Sequence, residues 1–385
     1  MSDVAILTGY VVRCPLGGYA WQTLHYLLGL RALGFDPYFY EDTAYYPECY
    51  DPASGAMGSV QAPALAFARE LFARHGFGER WFFWDAQRDE WHGGAREAAR
   101  AALDDARLLI SLAAVNRLPR KLGRRRLFID LDPGVTQIEA ERDRGLQLLL
   151  ADYDVHATIG ENIGQLGCAI PAERFRWLPT RQPIALDAWP PLPPAGDAPF
   201  TTIGRWDERR RVQVLAGERY SWSKRDVWLR FLDLPRRSGA RFEVALDVDK
   251  VPGDRERLAQ HGWEVCDPLA VSTDADRYRD FIRRSRGEFS LAKDLNVRLA
   301  TGWFSDRSAC YLAAGRPVVV QDTGFGRTLP TGAGLLPFRT PEQAADAIAA
   351  VQGDYALHAG AARRLAEQHF AAAWVLGDLF SRAGI

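Results

Sequence analysis

Short apolar runs alternate with amphipathic stretches along the first half of the chain. Val4–Thr8 is a short apolar run, residues 21–33 carry apolar side chains at helical spacing, and Tyr38–Tyr40 begins a second apolar run. Strands that alternate with helices form parallel sheets that are covered by helices. The same patterns predict three more strands, Leu108–Ser111, Leu127–Leu131 and Val155–Ile159, and a helix at Gln61–Arg74.

Prolines interrupt this alternation near the middle of the chain. Six prolines lie between Pro183 and Phe200, and proline sustains neither a helix interior nor a central strand. A chain of 385 residues is also long enough for two domains. We therefore interpret residues 183–200 as a linker that follows a first domain at 1–182.

The alternation resumes after the linker. The predicted strands are Thr201–Gly204, Phe242–Leu246, Trp263–Cys266, Phe289–Ala292 and Pro317–Gln321, and the predicted helices include Lys224–Leu232, Arg255–His261 and Arg277–Arg284. Thr340, Pro341 and Gln343 form a helix start. We expect a second domain at 201–365 and a terminal helix at 366–385. The predicted fold class is α/β, with two Rossmann-like domains that face a central cleft, where ligands of such sheets bind.

The segment from Thr301 to Asp322 is the most informative for chemistry. Gly302 forms a turn, Ser305 opens a helix, and a buried strand then ends in Gln321 and Asp322. The first amides of a helix have no partner inside it and carry positive potential, so phosphate can bind there. A carboxamide and a carboxylate beside that helix can accept hydrogen bonds from sugar hydroxyls. The segment predicts a nucleotide-sugar site.

At these residues the chain resembles the GT-B glycosyltransferases. Gly302-Trp303-Phe304-Ser305 is similar to the Gly-Trp-Asn-Ser core of the nucleotide-sugar signature, and Gln321-Asp322 resembles its sugar-contacting pair in reversed order. The chain departs from the signature at Ala300, where a histidine is expected, and at Ser308, where a ribose-binding carboxylate is expected. The resemblance implies a terminal helix that crosses back onto the first domain.

The resemblance also implies further donor-binding residues in the second domain. Its expected diphosphate ligands are Arg205 and Lys224, with Lys293 as a third candidate, because fixed cations can offset the charge of a leaving diphosphate without a metal. The alternative is that these residues are ordinary surface cations. Asp306 either orients Arg307 toward the diphosphate or only caps the helix. Trp263 either stacks on the base or packs in the core.

Three loops of the first domain are expected at the cleft. They supply the acceptor-binding candidates Gly17, Gly18 and Gln137, and the candidates for a general base, Asp132 and Glu161. Paired glycines also serve turns, and Asp and Glu also cap helices. Asp130-Leu131-Asp132 matches the DxD triplet that binds a divalent metal in the other glycosyltransferase fold. So short a pattern is frequent by chance, and Asp247-Val248-Asp249 repeats it in this chain. We therefore expect no metal. His25 and His156 lie in apolar patterns and are interpreted as packed.

Composition limits the partners. A net charge of −1 gives no general attraction to nucleic acid or to anionic membranes, although the basic runs Arg120–Arg126 and Arg209–Arg211 either touch an anion or are solvated. The five cysteines are scattered without a Cys-x-x-Cys pair, which favours reduced thiols. No signal peptide and no apolar run of roughly 18 residues is found, so we expect a cytoplasmic protein.

The function expected from this resemblance is metal-independent transfer of a sugar from a nucleoside diphosphate sugar to a hydroxyl or amine. The acceptor is a small molecule or a glycan, and no cofactor is needed beyond the donor substrate. The alternative is a non-catalytic protein of the same fold that binds a nucleotide sugar or a glycan. An epimerase of sugar nucleotides, or a coupling enzyme of pseudo-glycosidic type, is a further alternative.

Overall fold

The computed structural model describes residues 3–116, 122–193, 196–209 and 211–385. The described strands of the first half are β1 (Val4–Thr8), β2 (Asp36–Asp42), β3 (Cys49–Asp51), β4 (Ala56–Gly58), β5 (Trp81–Asp85), β6 (Glu90–Gly93), β7 (Leu108–Leu112), β8 (Arg125–Asp130), β9 (Val155–Thr158) and β10 (Trp177–Pro179). The helices between them are α1 (Gly17–Ala32), α2 (Ala62–Arg74), α3 (Arg96–Asp105), α4 (Val135–Ala140) and α5 (Arg144–Ala151).

The first sheet has the strand order β10-β9-β8-β7-β1-β2-β5-β6 in the described residues. Only the edge pair β5 and β6 is antiparallel there. Leu7 of β1 pairs with Phe39 on one side and Ile110 on the other, and all three side chains are fully buried. Strands that are buried on both faces read as continuous apolar runs, which is why the sequence pattern marks β1, β7 and β8 so clearly.

The second half forms another parallel sheet. Its described strands are β11 (Phe200–Gly204), β12 (Val212–Leu215), β13 (Glu218–Ser221), β14 (Phe242–Leu246), β15 (Trp263–Cys266), β16 (Gly287–Ser290), β17 (Val318–Gln321) and β18 (Leu335–Phe338). The helices are α6 (Arg225–Arg230), α7 (Leu234–Ser238), α8 (Asp254–Gln260), α9 (Pro268–Ser272), α10 (Ala275–Arg284), α11 (Asp294–Arg298), α12 (Asp306–Ala313), α13 (Pro341–Gly353), α14 (Tyr355–His369) and α15 (Ala372–Ala383). The sheet order is β15-β14-β11-β16-β17-β18, and β12 and β13 form a separate hairpin.

The terminal helix α15 crosses back to the first domain and packs on α1. Gly29 of α1 permits this contact, because a Cβ atom there would lie 2.8 Å from a methyl carbon of Leu376 and 2.9 Å from the Cβ of Ala372. Arg125 at the start of β8 donates a hydrogen bond to the carbonyl of Ala383. The predicted fold class, two Rossmann-like domains with a returning terminal helix, is confirmed.

The expected linker is held to the rest of the chain along its first part. The amide of Ile184 donates to the carbonyl of Phe370 at 2.7 Å, and Trp189 is fully buried. Parts of both basic runs, Arg120–Arg126 and Arg209–Arg211, lie outside the described residues. The sequence patterns did not indicate the hairpin of β12 and β13, whose strands are only half-buried and carry no continuous apolar run.

Candidate functional site in the interdomain cleft

The N-terminus of α12 presents free amides. Ser305 occupies the N-cap position in an extended conformation, but its hydroxyl makes no capping bond and instead donates to the carboxylate of Asp306 at 3.2 Å. Within the described part of the chain, no acceptor is found for the amides of Asp306, Arg307 and Ser308. The helix therefore begins with donors and positive potential that an anion can use.

A narrow pocket of about 10 Å³ lies beside these amides. Gln321 at the end of β17 lines it and is 4% exposed; its carbonyl oxygen accepts from the amide of Ala292 at 3.1 Å. The other end of Gln321, its Nε2 group, has no hydrogen-bond acceptor in the residues that the structure describes. The remaining lining comes mainly from Ser290, Leu291, Trp303, Phe304, Ser305, Arg307 and Ser308. Gln321 thus has a free donor where a sugar hydroxyl could be placed.

The expected cations gather near this pocket. Lys224 precedes α6 and is half-buried; burial, followed by the charges of Arg307 and Lys293, lowers its pKa from 10.5 to about 7. Lys293 precedes α11, and its Nζ atom lies 3.2 Å from Asp132 and 3.3 Å from the ring centre of Trp222. Arg205 follows β11 and is exposed. The positive charges of Arg307 and Lys293 act on Lys224, and an anion that binds near them would relieve this repulsion.

The side chain of Arg307 has another role than the expected one. Its Nε atom pairs with Glu288 at 2.8 Å, while the two terminal nitrogens donate to the carbonyl of Ile203 and the hydroxyl of Ser290. All three nitrogens are therefore occupied inside the domain, and Asp306 does not orient this arginine. The side chain of Arg307 ties α12 to the sheet, and its backbone amide stays without an acceptor in the described residues.

Two further donor candidates are structural. Trp263 is 2% exposed, its indole nitrogen donates to the carbonyl of Leu232, and its ring packs among Trp228, Phe242 and Phe289. No face is left for a nucleobase, so the core interpretation holds and the stacking interpretation is wrong.

Asp322 has both carboxylate oxygens engaged. Oδ1 accepts from the amide of Gly324 at 2.7 Å, and Oδ2 pairs with Arg339 at 2.8 Å. This geometry supports a turn-forming role for Asp322 over a sugar contact. Of the pair at the end of β17, only Gln321 points a free polar group toward the pocket.

The signature loop meets the first domain directly. Asn162 donates from its side chain to the carbonyls of Ala300 and Gly324, and its amide donates to Thr301. A Cβ atom at Gly302 or at Gly324 would lie 2.8 Å from the Asn162 side chain, and both glycines have positive φ, at +76° and +87°. These two glycines are required by Asn162 and by their backbone conformation. Gly160 and Trp303 also form a β-bridge, while Phe304 is buried between Phe325 and Phe370.

The two candidate bases differ sharply. Glu161 is 8% exposed and pairs with Arg181 at 2.6 Å; burial raises the pKa of its carboxyl, and Arg181 opposes that shift. Its carboxylate is engaged by Arg181 within the first domain, which favours a structural role over the expected role as a base. The side chain of Asp132 is 49% exposed and faces Lys293 across the cleft. Asp132 remains the accessible carboxylate.

The expected acceptor residues of the first domain are used for packing and capping. A Cβ atom at Gly17 would lie 2.5 Å from the Cβ of Tyr278 in α10, and one at Gly18 would lie 3.7 Å from the Tyr278 hydroxyl. Gln137 is buried; it accepts from the amide of Gly134 and donates to Asp130 at 2.9 Å. Gln137 is engaged inside the first domain, so the structure contradicts its expected role, whereas Gly17 and Gly18 begin α1 without a side-chain cap and stay predictions.

The DxD triplet does not present two carboxylates together. Asp130 is fully buried and accepts hydrogen bonds from Thr136, Gln137 and Thr158. Throughout the described ranges, no three His, Cys, Asp or Glu side chains come together as a metal site. His25 and His156 are packed, as interpreted: His25 accepts from the amide of Ala185, and His156 contacts the carbonyl of Leu150.

Two functional contributors were not identified from the sequence. Glu288, which holds Arg307, lies in a buried strand where a charged residue is unusual, and that was an available signal. Tyr278 contacts the start of α1 from the other domain, and no local pattern reveals such a contact.

Comparison with known proteins agrees with this architecture. No known family model and no curated protein matches the sequence. Among solved structures, an alpha-glucosyltransferase in complex with UDP aligns over 100% of both chains with a TM-score of 0.58 and 11% identity. AviGT4, a glycosyltransferase involved in avilamycin A biosynthesis, aligns over 100% of this chain and 97% of its own with a TM-score of 0.54 and 11% identity. A glycosyltransferase from Rickettsia africae aligns over 100% of this chain and 98% of its own, with a TM-score of 0.53 and 11% identity.

The chain therefore has the fold of the GT-B glycosyltransferases. At such low identity the likeness extends to the fold alone. A search for candidate membrane spans among the described residues finds no helix that is both long and apolar enough.

Proposed function

We propose that the protein is a glycosyltransferase that moves a sugar from a nucleoside diphosphate donor to a hydroxyl or amine acceptor, without a metal. The observation that carries this proposal is the uncapped start of α12, together with Lys224, whose pKa is lowered by burial and then by the charges of Arg307 and Lys293. A diphosphate would satisfy the free amides and neutralise the cations. The UDP complex of a structural neighbour supports the choice of ligand.

Metal independence is proposed on the same cations. Negative charge develops on the diphosphate as the bond to the sugar breaks, and fixed positive groups stabilise that charge without reorganisation. Lys224 and Lys293 are our candidates for the cations that hold the diphosphate, and the exposed Arg205 at the end of β11 is a third. Gln321 would hold a donor-sugar hydroxyl through its free Nε2 group.

Asp132 is our candidate for the group that accepts the acceptor proton. It is half-exposed in the cleft, and Lys293 holds its carboxylate at 3.2 Å. The Asp132→Asn substitution keeps the shape of the side chain but removes the base, so transfer should fall by about a hundredfold or more. Glu161→Gln is the matched control, because Glu161 is paired with Arg181 and away from the acceptor. A larger loss of transfer in Glu161→Gln than in Asp132→Asn would contradict this assignment.

The overall proposal is tested by titrating UDP and the other common nucleoside diphosphates into the protein by calorimetry, then measuring diphosphate release from the matching sugar donors with and without acceptor. Binding with acceptor-stimulated release is expected. Binding without release would favour the non-catalytic protein, a candidate that the departure at Ser308 supports, because this buried serine stands where a ribose-binding carboxylate is expected. No binding of any nucleoside diphosphate would refute both.

A further inference from the structure

Four tyrosines lie at the carboxyl edge of the first sheet. Tyr10 follows β1, Tyr19 lies in the first turn of α1, and Tyr45 and Tyr46 follow β2. The ring centres of Tyr10 and Tyr19 are 5.6 Å apart and those of Tyr45 and Tyr46 are 4.5 Å apart. We call these four residues the tyrosine wall. They form two edge-to-face pairs that present large amphipathic surfaces.

A buried arginine connects the two pairs. The guanidinium carbon of Arg13 lies 4.8 Å from the ring centre of Tyr10 and 6.0 Å from that of Tyr46. Arg13 is itself 2% exposed and is fixed by Glu41, which also accepts three backbone amides of the same loop. The rings are therefore placed by a rigid internal network, which lowers the entropy lost when a ligand binds.

The wall is open to ligand. Tyr19 is 37% exposed, Tyr45 is 41% exposed and Tyr46 is 49% exposed. In the described residues, no hydrogen-bond partner is found for the hydroxyl groups of Tyr10 and Tyr19. The Tyr19 phenol is neutral near pH 7, so its hydroxyl can both donate and accept a hydrogen bond.

The wall begins at the reaction centre. Tyr19 lies at the start of the helix that follows β1, and Asp132 follows β8. Only β7 lies between these two parallel strands, so both residues lie at the same carboxyl edge of the first sheet. Contact of Gly17 with Tyr278 fixes the start of α1 that carries Tyr19. A molecule that lies along the wall would therefore reach Asp132 with one end.

Charge identifies the class of molecule. Residues 36–60, which include β2 and its following loop, contain no Lys and no Arg, but they carry the exposed Glu48 and the partly exposed Asp51. Arg13 is buried under the rings and is not available to phosphates. Nucleic acids bind through cations on the surface. A neutral ligand fits this surface, and a polyanion does not.

We propose that the tyrosine wall binds the sugar rings of a neutral carbohydrate acceptor, with the rings stacked on Tyr46 and Tyr10 and a hydroxyl held near Tyr19. This inference rests on the proposed function. In the transfer step, the acceptor oxygen forms a bond to the anomeric carbon of the donor, and the bond from that carbon to the diphosphate oxygen breaks. The electron pair leaves with the diphosphate, and the hydroxyl proton passes to Asp132.

The test uses maltotriose and chitotriose as neutral probes, 4-methylumbelliferone as a phenolic probe, and a 13-mer DNA duplex as the anionic probe. Diphosphate release is measured with each probe for the wild type, Tyr46→Ala, Tyr19→Phe and the control Trp374→Ala, an equally exposed aromatic residue on α15. We expect a neutral saccharide to stimulate release. Tyr46→Ala should raise the saccharide KM by roughly tenfold or more, with UDP affinity and the control unchanged.

A second readout separates this inference from the proposed function. Saturation-transfer NMR reports contact between the saccharide and the protein whether or not transfer occurs. Saccharide contact that is lost in Tyr46→Ala, without any diphosphate release, would support the wall and refute the glycosyltransferase. Release stimulated only by the phenol or by DNA, or a saccharide KM that is unchanged in Tyr46→Ala, would overturn the wall and leave the glycosyltransferase standing. Tyr19→Phe should weaken the saccharide less than Tyr46→Ala, because only a hydroxyl is lost.

Discussion

Replacement of Lys224 by methionine should stabilise the empty protein while it damages nucleotide binding. Lys224 is half-buried between Arg307 and Lys293, and burial together with these charges lowers its pKa from 10.5 to about 7. Methionine keeps the unbranched chain but removes the charge. A residue that disfavours the empty fold and favours the complex is the signature of a binding site.

The sign and size follow from linkage. Below pH 7 the lysine is protonated in both the folded and the unfolded protein, and the folded protein bears the full cost of its lowered pKa. Between pH 7 and 10.5 the folded protein loses the proton first, so this cost shrinks and then vanishes. At about 1.4 kcal/mol per pKa unit, the shift corresponds to at most about 5 kcal/mol. Relaxation of the neighbouring charges reduces the expected gain to about 1–3 kcal/mol, or a Tm increase of about 2–6 °C.

The assay combines thermal unfolding from pH 6 to 10 with calorimetric titration of UDP at pH 7, 8 and 9. Above pH 7 the terminal phosphate is already ionised, so a wild-type affinity that falls by up to about tenfold per pH unit reports the loss of the Lys224 proton. Lys224→Met should bind more weakly and show no such slope. Lys250→Met is the matched control, since Lys250 is 60% exposed and pairs with Asp247.

Two results would refute this reasoning. One is a Lys224→Met protein that is less stable than the wild type at pH 6 without nucleotide. The other is a wild-type affinity that does not change between pH 7 and 9. Either result would mean that the ammonium group is not held in an uncompensated cluster.

Three further outcomes are expected. Gln321→Ala should lower kcat/KM for the sugar donor by about ten- to a hundredfold, with little change in UDP affinity. Asp322→Ala should instead lower the Tm, because Asp322 holds the Gly324 turn. If kinetics and calorimetry show equal losses for the sugar donor and for UDP in Gln321→Ala, the sugar contact of Gln321 is rejected. Gly324→Ala should lower the Tm, because the new Cβ would lie 2.8 Å from Asn162 and the φ of residue 324 is +87°. The additional substitution Asn162→Ala should restore only the part of the Tm that the steric clash removes. Full recovery of the Tm in the double variant would show that the positive φ imposes no strain. Transfer should persist in EDTA, and a loss that manganese reverses would refute metal independence.

Much of the fold could be predicted from the sequence because the buried strands of a parallel sheet are continuous apolar runs. The structure has β1, β14 and β15 with the predicted bounds. The predicted helix at Lys224–Leu232 is instead shorter and is followed by a second helix, α7. Strands at the sheet edge, such as β6, and the hairpin of β12 and β13 are exposed or half-buried, so no apolar run marks them.

The sequence by itself also predicted the turn and helix start that leave free amides at α12, because a glycine turn, a helix start and a following strand are local features. It could not decide the roles of the charged side chains. A carboxylate such as Asp132 or Glu161 looks the same in the sequence whether it faces solvent or an arginine from a distant segment.

Only the tertiary structure made those decisions, since they depend on contacts between residues far apart in the chain. Arg181 forms an ion pair with Glu161, and Glu288 forms one with Arg307. Asn162 leaves no space for a Cβ atom at Gly302 or Gly324. The cost of leaving a buried charge unpaired favours the two ion pairs, whereas the contact of Asn162 with the glycines is steric. The charges left over in the cleft, Lys224 foremost, are what the fold keeps available for a ligand.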